Sequence, residues 1–126
     1  MKIENKIVWM DIPVENLERA AKFYSKVMKL EFSVEMHGDM KFAMCPHSDN
    51  EAAFCLVVDP SFKEKSLNHI YPLVYLNVNG RMKTALEQVK NFGGKIIEPK
   101  TEIGPYGFRA IILDSEGNKI ALHSYN

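Results

Sequence analysis

Residues 8–32 read VWMDIPVENLERAAKFYSKVMKLEF, and the order of elements in this stretch decides the fold. The run at 6–12 is rich in β-formers and stops at Pro13, which cannot donate to a strand ladder. A helix follows. Glu15 or Asn16 can cap it, and Leu17, Ala20, Ala21, Tyr24, Val27 and Met28 recur at helical spacing, with Phe23 and Tyr24 expected in the core. Beyond it, residues 30–37, 40–45 and 51–58 read as strands, separated by a Gly38-Asp39 turn and a polar turn at 46–50.

The same order returns further along. Residues 71–78 read as a strand and 81–92 as a helix with Met82, Ala85, Leu86 and Val89 on its apolar face. Gly93-Gly94 ends that helix, because glycine accepts the left-handed conformation that closes one. Strands at 95–98, 108–113 and 119–124 complete the set, with a loop at 99–106 and a tight DSEGN turn at 114–118. An offset of 64 places Met10 on Val74, Ile12 on Leu76 and Ala21 on Ala85; near the ends an offset of 67 places Ala53 on Ile120 and Cys55 on Leu122. The chain therefore reads as one domain over 1–126, made of two βαβββ halves at 6–58 and 70–124 joined by a polar linker at 59–69. This is an α+β fold whose two sheets are expected to form an open, mixed, barrel-like cavity, where a small molecule would bind.

Composition is that of an ordinary globular domain, with 46% apolar and 25% charged residues in a chain of 126. Net charge is zero, which gives no attraction for a polyanion, so nucleic acid is not an expected partner. No apolar run approaches the ~20 residues that span a bilayer, and the first residues lack a signal-peptide core, so a cytoplasmic protein is expected. Cys45 and Cys55 flank Asn50 symmetrically and are expected as two buried thiols.

Period-two alternation assigns the sheet faces. Trp9 and Asp11 share one face of the first strand; Val8, Met10 and Ile12 share the other. In the last strand Lys119, Ala121 and His123 oppose Ile120 and Leu122. The all-apolar sets should lie under the helices and the mixed sets should face the cavity.

The stretch at 8–32, with its Phe23-Tyr24 pair and following Leu-Glu-Phe, resembles the opening of vicinal oxygen chelate proteins, the glyoxalase/bleomycin resistance protein/dioxygenase superfamily. The closing stretch FRAIILDSEGNKIALHS, 108–124, resembles the last hairpin of that family. The resemblance covers essentially the whole chain. It implies the paired βαβββ fold, a tendency to form homodimers, and, in metal-dependent members, a divalent ion held by two side chains from each half. Carried onto this sequence, those positions are Trp9, Phe54, Leu73 and Ala121, none of which ligates a metal. A one-residue shift gives Val8, Cys55, Pro72 and Leu122, and a two-residue shift gives Asp11, Leu56, Tyr75 and His123. No metal cofactor is therefore expected, which suits the branch resembling bleomycin-resistance proteins. Trp9, Phe54, Leu73, Tyr75, Tyr106, Phe108, Ala121 and His123 are the expected ligand-lining residues, and aromatic walls favour a flat or amphipathic small molecule. The competing expectation is a lyase or isomerase that uses a displaced metal set or acid–base chemistry by Asp11 and His123.

Overall fold

In the computed structural model, residues 5–49, 51–58 and 71–126 are described. The expected linker at 59–69 lies outside them. The chain separates into two compact units, residues 9–72 in one and residues 73–126 with 1–8 in the other.

The first half runs β1 (Ile7–Pro13), α1 (Leu17–Met28), β2 (Ser33–His37), β3 (Met40–Met44) and β4 (Ala53–Val58). Its strands lie in the order β2-β3-β4-β1, with β1 and β4 parallel and the other pairs antiparallel. Asn16 caps α1: its side-chain oxygen accepts the Arg19 N–H at 2.9 Å, satisfying a donor with no partner within the helix. Leu17, Ala20, Ala21 and Tyr24 pack on Ala43, Leu56, Ile12, Phe54 and Val58. Phe23 and Val27 are exposed instead, at 59% and 61%; Phe23, six residues beyond Leu17, stands off the face that packs on the sheet.

The second half repeats the plan with β5 (Leu73–Asn77), α2 (Met82–Asn91), β6 (Lys95–Glu102), β7 (Phe108–Leu113) and β8 (Lys119–Ser124), in the order β5-β8-β7-β6. Met82, Ala85, Leu86 and Val89 of α2 pack on Val78, Ala110, Ile112, Ile120 and Leu122. Gly93 closes the helix at φ +92°, and Gly94 has no room for a side chain: a Cβ would stand 2.7 Å from the Leu113 carbonyl oxygen. β6 is longer than the sequence suggests. It runs through Pro99 to Glu102, and proline is tolerated there because β6 pairs with β7 alone within its sheet.

Matching the two halves corrects the repeat. Asp11 pairs with Cys55 in β1/β4, and Tyr75 pairs with Ala121 in β5/β8. Ile12 pairs with Leu56, and Leu76 with Leu122. The offset from β4 to β8 is therefore 66, which sets Cys55 on Ala121 and Leu56 on Leu122; an offset of 67 would set a helix-facing residue on one facing the other way. In each half a leucine of the central parallel pair lies beside a fully buried alanine, Ala43 or Ala110, under the first residue of the helix, Leu17 or Met82.

Candidate functional site: the helix-free faces

The face of each sheet away from its helix carries the polar and aromatic side chains. In the first half it holds Trp9, Asp11, Cys55, Phe42 and Met44, the last three buried among them being Cys55, Phe42 and Met44. The Trp9 indole N–H donates to Asp11 Oδ1 at 3.1 Å, and the Cys55 thiol donates to the same oxygen at 3.2 Å. The Trp9 ring meets His47 edge-on at 5.0 Å, and His37 stacks on Phe42 at 5.3 Å. Burial pushes the Cys55 thiol well above the ordinary range, and the adjacent Asp11 carboxylate adds to this by disfavouring a second negative charge. Cys55 is thus held as a thiol. Cys45 is also a free, buried thiol, donating to the Pro46 carbonyl at 3.5 Å.

In the second half this face holds Tyr75, Ala121, Ile111, Arg109 and His123. The Arg109 guanidinium donates from Nη1 to the Tyr75 hydroxyl oxygen at 2.8 Å and from Nε to Glu98 at 2.9 Å. Burial opposes the charge on Arg109, but the Tyr75 oxygen and the Glu98 carboxylate outweigh it and hold the guanidinium above its usual range. His123 is buried, and its Nε2 lies 2.6 Å from the Tyr106 carbonyl oxygen. A carbonyl only accepts, so Nε2 carries a proton. Gly107 presses on the Ser124 carbonyl, where a Cβ would come within 2.6 Å. Together these contacts pin the 3-10 turn Gly104–Tyr106 to the end of β8.

Trp9, Asp11, Tyr75, Ala121 and His123 thus lie on the expected faces, and Leu73 shares its face with Tyr75 by alternation. Phe54 does not. It packs with Tyr24 and Phe32 under α1, ring centroids 5.9 and 5.8 Å away. Phe108 likewise shares the face of Ala110 and Ile112, which lie under α2. For Phe54 the cause is register: one residue of offset moves a side chain to the opposite face, whereas Phe108 follows the plain alternation of β7. Asp11 and His123 hold separate local bonds, Asp11 with Trp9 and Cys55, His123 with Tyr106. Sequence reading passed over Arg109 and Glu98. The alternation in FRAIIL, with a lone arginine on the face of Ile111, was the available signal for the first.

A model of the Glyoxalase/Bleomycin resistance protein/Dioxygenase superfamily matches residues 6–122. The chain belongs to this superfamily. Among solved structures it resembles methylmalonyl-CoA epimerase from Mycobacterium tuberculosis, with 18% identity over 96% of this chain and 88% of that one and a TM-score of 0.71. A Streptomyces coelicolor methylmalonyl-CoA epimerase variant in complex with 2-nitronate-propionyl-CoA gives 14% identity, 97% and 95% coverage, and a TM-score of 0.72. The Mn(II)-bound glyoxalase from Novosphingobium aromaticivorans gives 15% identity over 95% of this chain and 38% of that one, with a TM-score of 0.67. A comparison with curated proteins by sequence gives no match. At these identities the structural likeness establishes the superfamily fold alone.

The superfamily's divalent ion can be tested against the donors present. Among the described residues no three His, Cys, Asp or Glu side chains converge. The central pair of the first half offers one carboxylate, Asp11, and one thiol, Cys55. The central pair of the second half offers the Tyr75 phenol, bonded to a guanidinium that repels a cation, and the methyl group of Ala121. The second half thus lacks the two donors expected of it, and the residues present do not make up the four-donor set of the ion.

Proposed function

We propose that this superfamily member binds a small aromatic or amphipathic molecule on a helix-free face without a metal, in a sequestering or carrying role. One observation carries the reading. The central positions of these faces are Asp11 and Cys55 in the first half and Tyr75 and Ala121 in the second, groups suited to contact and hydrogen bonding. Aromatic surface beside them, from Trp9, Phe42 and His47, supports a flat ligand. The uncharged dye N-phenyl-1-naphthylamine, fluorescent once out of water, tests this on the full chain. Saturable binding with one site per chain, weakened by Trp9→Ala and indifferent to EDTA, is the expected result. Absence of saturable binding, or binding lost to EDTA and restored by one divalent ion per chain, overturns it.

A second reading takes its support from the fold's occurrence in methylmalonyl-CoA epimerases and a glyoxalase. It makes the chain a lyase or isomerase with Asp11 and His123 as acid–base groups. The bonds that tie Asp11 to Trp9 and Cys55, and His123 to Tyr106, favour positioning over proton transfer. If His123→Ala abolished a turnover that wild type sustains, with ligand binding unchanged, this second reading would replace the first. A homodimer in the cytoplasm belongs to the proposal as well, and light scattering at high concentration tests the dimer. No helix among the described residues is long and apolar enough to cross a membrane.

A further inference from the structure

The strand β6 loses register with β7 twice, between Ile96 and Glu98 and again between Glu98 and Thr101. In an unbroken strand Glu98 would share a face with Ile96, which packs under α2. The first slip sets Glu98 opposite Ile111, on the helix-free face, where its carboxylate meets Arg109. Bulges re-aim single side chains and concentrate next to binding sites. Here the re-aimed group is a carboxylate and its target is a half-buried guanidinium, the side chains 32% and 28% exposed.

An ion pair withdrawn this far from water returns little net stability, because desolvation offsets the attraction. On the same face His123 stands directly across from Arg109, and the next pair, Ile111 and Ala121, is apolar. The apolar pair beside it makes no demand for a charge at Arg109. The geometry suits recognition better. A guanidinium takes a carboxylate through paired N–H donors, and the Tyr75 hydroxyl beside Nη1 offers a further polar contact. Glu98 sits on a strand paired on one side only within its sheet, between two register breaks, so it can shift while few ladder bonds are lost.

We infer that Arg109, flanked by the Tyr75 hydroxyl, receives a carboxylate on the bound molecule, with Glu98 as an internal competitor for the same guanidinium. This rests on the aromatic-ligand reading above and adds the acidic group to it. The ligand class is then an aromatic or amphipathic acid. Glu98 sets its affinity: a ligand carboxylate must displace it or share the donors with it.

Calorimetric titration of the full chain with 2-naphthoate and with 2-naphthamide tests this, since the two probes share ring and shape and differ in charge. Charge-assisted bonds to arginine predict a preference for naphthoate of about tenfold or more. Glu98→Gln removes the competitor and should raise the naphthoate-to-naphthamide ratio by about threefold to tenfold, the opposite of what loss of a purely structural partner would do. Arg109→Met should bring the ratio to about one. Equal affinity for the two probes in wild type overturns the inference and leaves the aromatic-ligand reading standing. A ratio that falls or stays fixed in Glu98→Gln overturns it as well, even if Arg109→Met fails to fold. Failure of both probes, together with failure of the neutral dye, overturns both readings.

Discussion

Replacing Leu56 by alanine tests the register on which every facing in the site depends. Leu56 is fully buried, as is its cross-strand neighbour Ala43, and Leu17 at the start of α1 closes over them at 2% exposure. Two of these three residues lie in hydrogen-bonded strands, so the wall around a missing isobutyl group cannot readily collapse. Leucine-to-alanine changes cost about 2–5 kcal/mol, the upper part of that range applying where a cavity persists. A loss of about 3–4 kcal/mol is expected, out of the roughly 5–15 kcal/mol that holds a domain together. For a chain of this size that corresponds to a fall in Tm of roughly 10–20 °C. Cys55→Ala, one residue away, removes a single sulfur and its weak bond to Asp11, and should cost about 1 kcal/mol. Urea denaturation of the two variants gives the comparison directly. If Cys55→Ala cost as much as Leu56→Ala, the facing of β4 and the comparison of Cys55 with Ala121 would be refuted.

Three further outcomes are expected. Gly94→Ala should lower stability by about 2 kcal/mol or more in the same denaturation assay, since its methyl group would collide with the Leu113 carbonyl at 2.7 Å and Val89 Cγ1 at 2.8 Å. Asn16→Ala should cost about 1 kcal/mol through loss of the bond to the Arg19 N–H, and Asn16→Asp should retain most of it. The raised Cys55 thiol stays neutral in the native state while the unfolded thiol ionises near pH 8.5, so the unfolded chain binds fewer protons above that pH. Stability should therefore fall as pH rises past about 8.5, Cys55→Ala should flatten that fall, and native Cys55 should resist alkylation at pH 9; equal slopes for the two proteins in a pH series would refute the assignment.

The sequence carried the fold because both helices and their sheets announce themselves by period. Leu17, Ala20, Ala21 and Tyr24 recur as a helix face must, and the matching set Met82, Ala85, Leu86 and Val89 made the duplication visible. Val27 and Met28 fitted the same period yet stay exposed, since spacing reports which face a residue shares and not how deeply each member is covered. Register across strands was less legible. The three-residue allowance between halves was one too many, and that single residue moved Phe54 to the helix-free side and hid Cys55. The facing of Glu98 was not legible, because alternation would set it with Ile96 and only the bulge reverses that. Arg109 was within reach, as a charge placed between apolar neighbours on a central strand.

The two halves also differ in where they agree. Under each helix the same solution recurs: a large apolar residue opening the helix, Leu17 or Met82, a buried alanine, and a leucine from the central pair. Close packing imposes it, since a helix can approach a sheet only over a small residue flanked by larger ones. The helix-free faces meet no such demand and share almost nothing. One holds a carboxylate that accepts from an indole and a thiol; the other holds a guanidinium shared between a phenol and a carboxylate. The duplicated plan thus fixes the two helix-free faces while leaving their chemistry to a handful of positions. In a fold that elsewhere accommodates a divalent ion, those few positions decide whether the face holds a cation or a ligand acid. In the second half the group that the proposed ligand acid would meet is the Arg109 guanidinium, whose internal partner Glu98 stands on an edge strand between two register breaks.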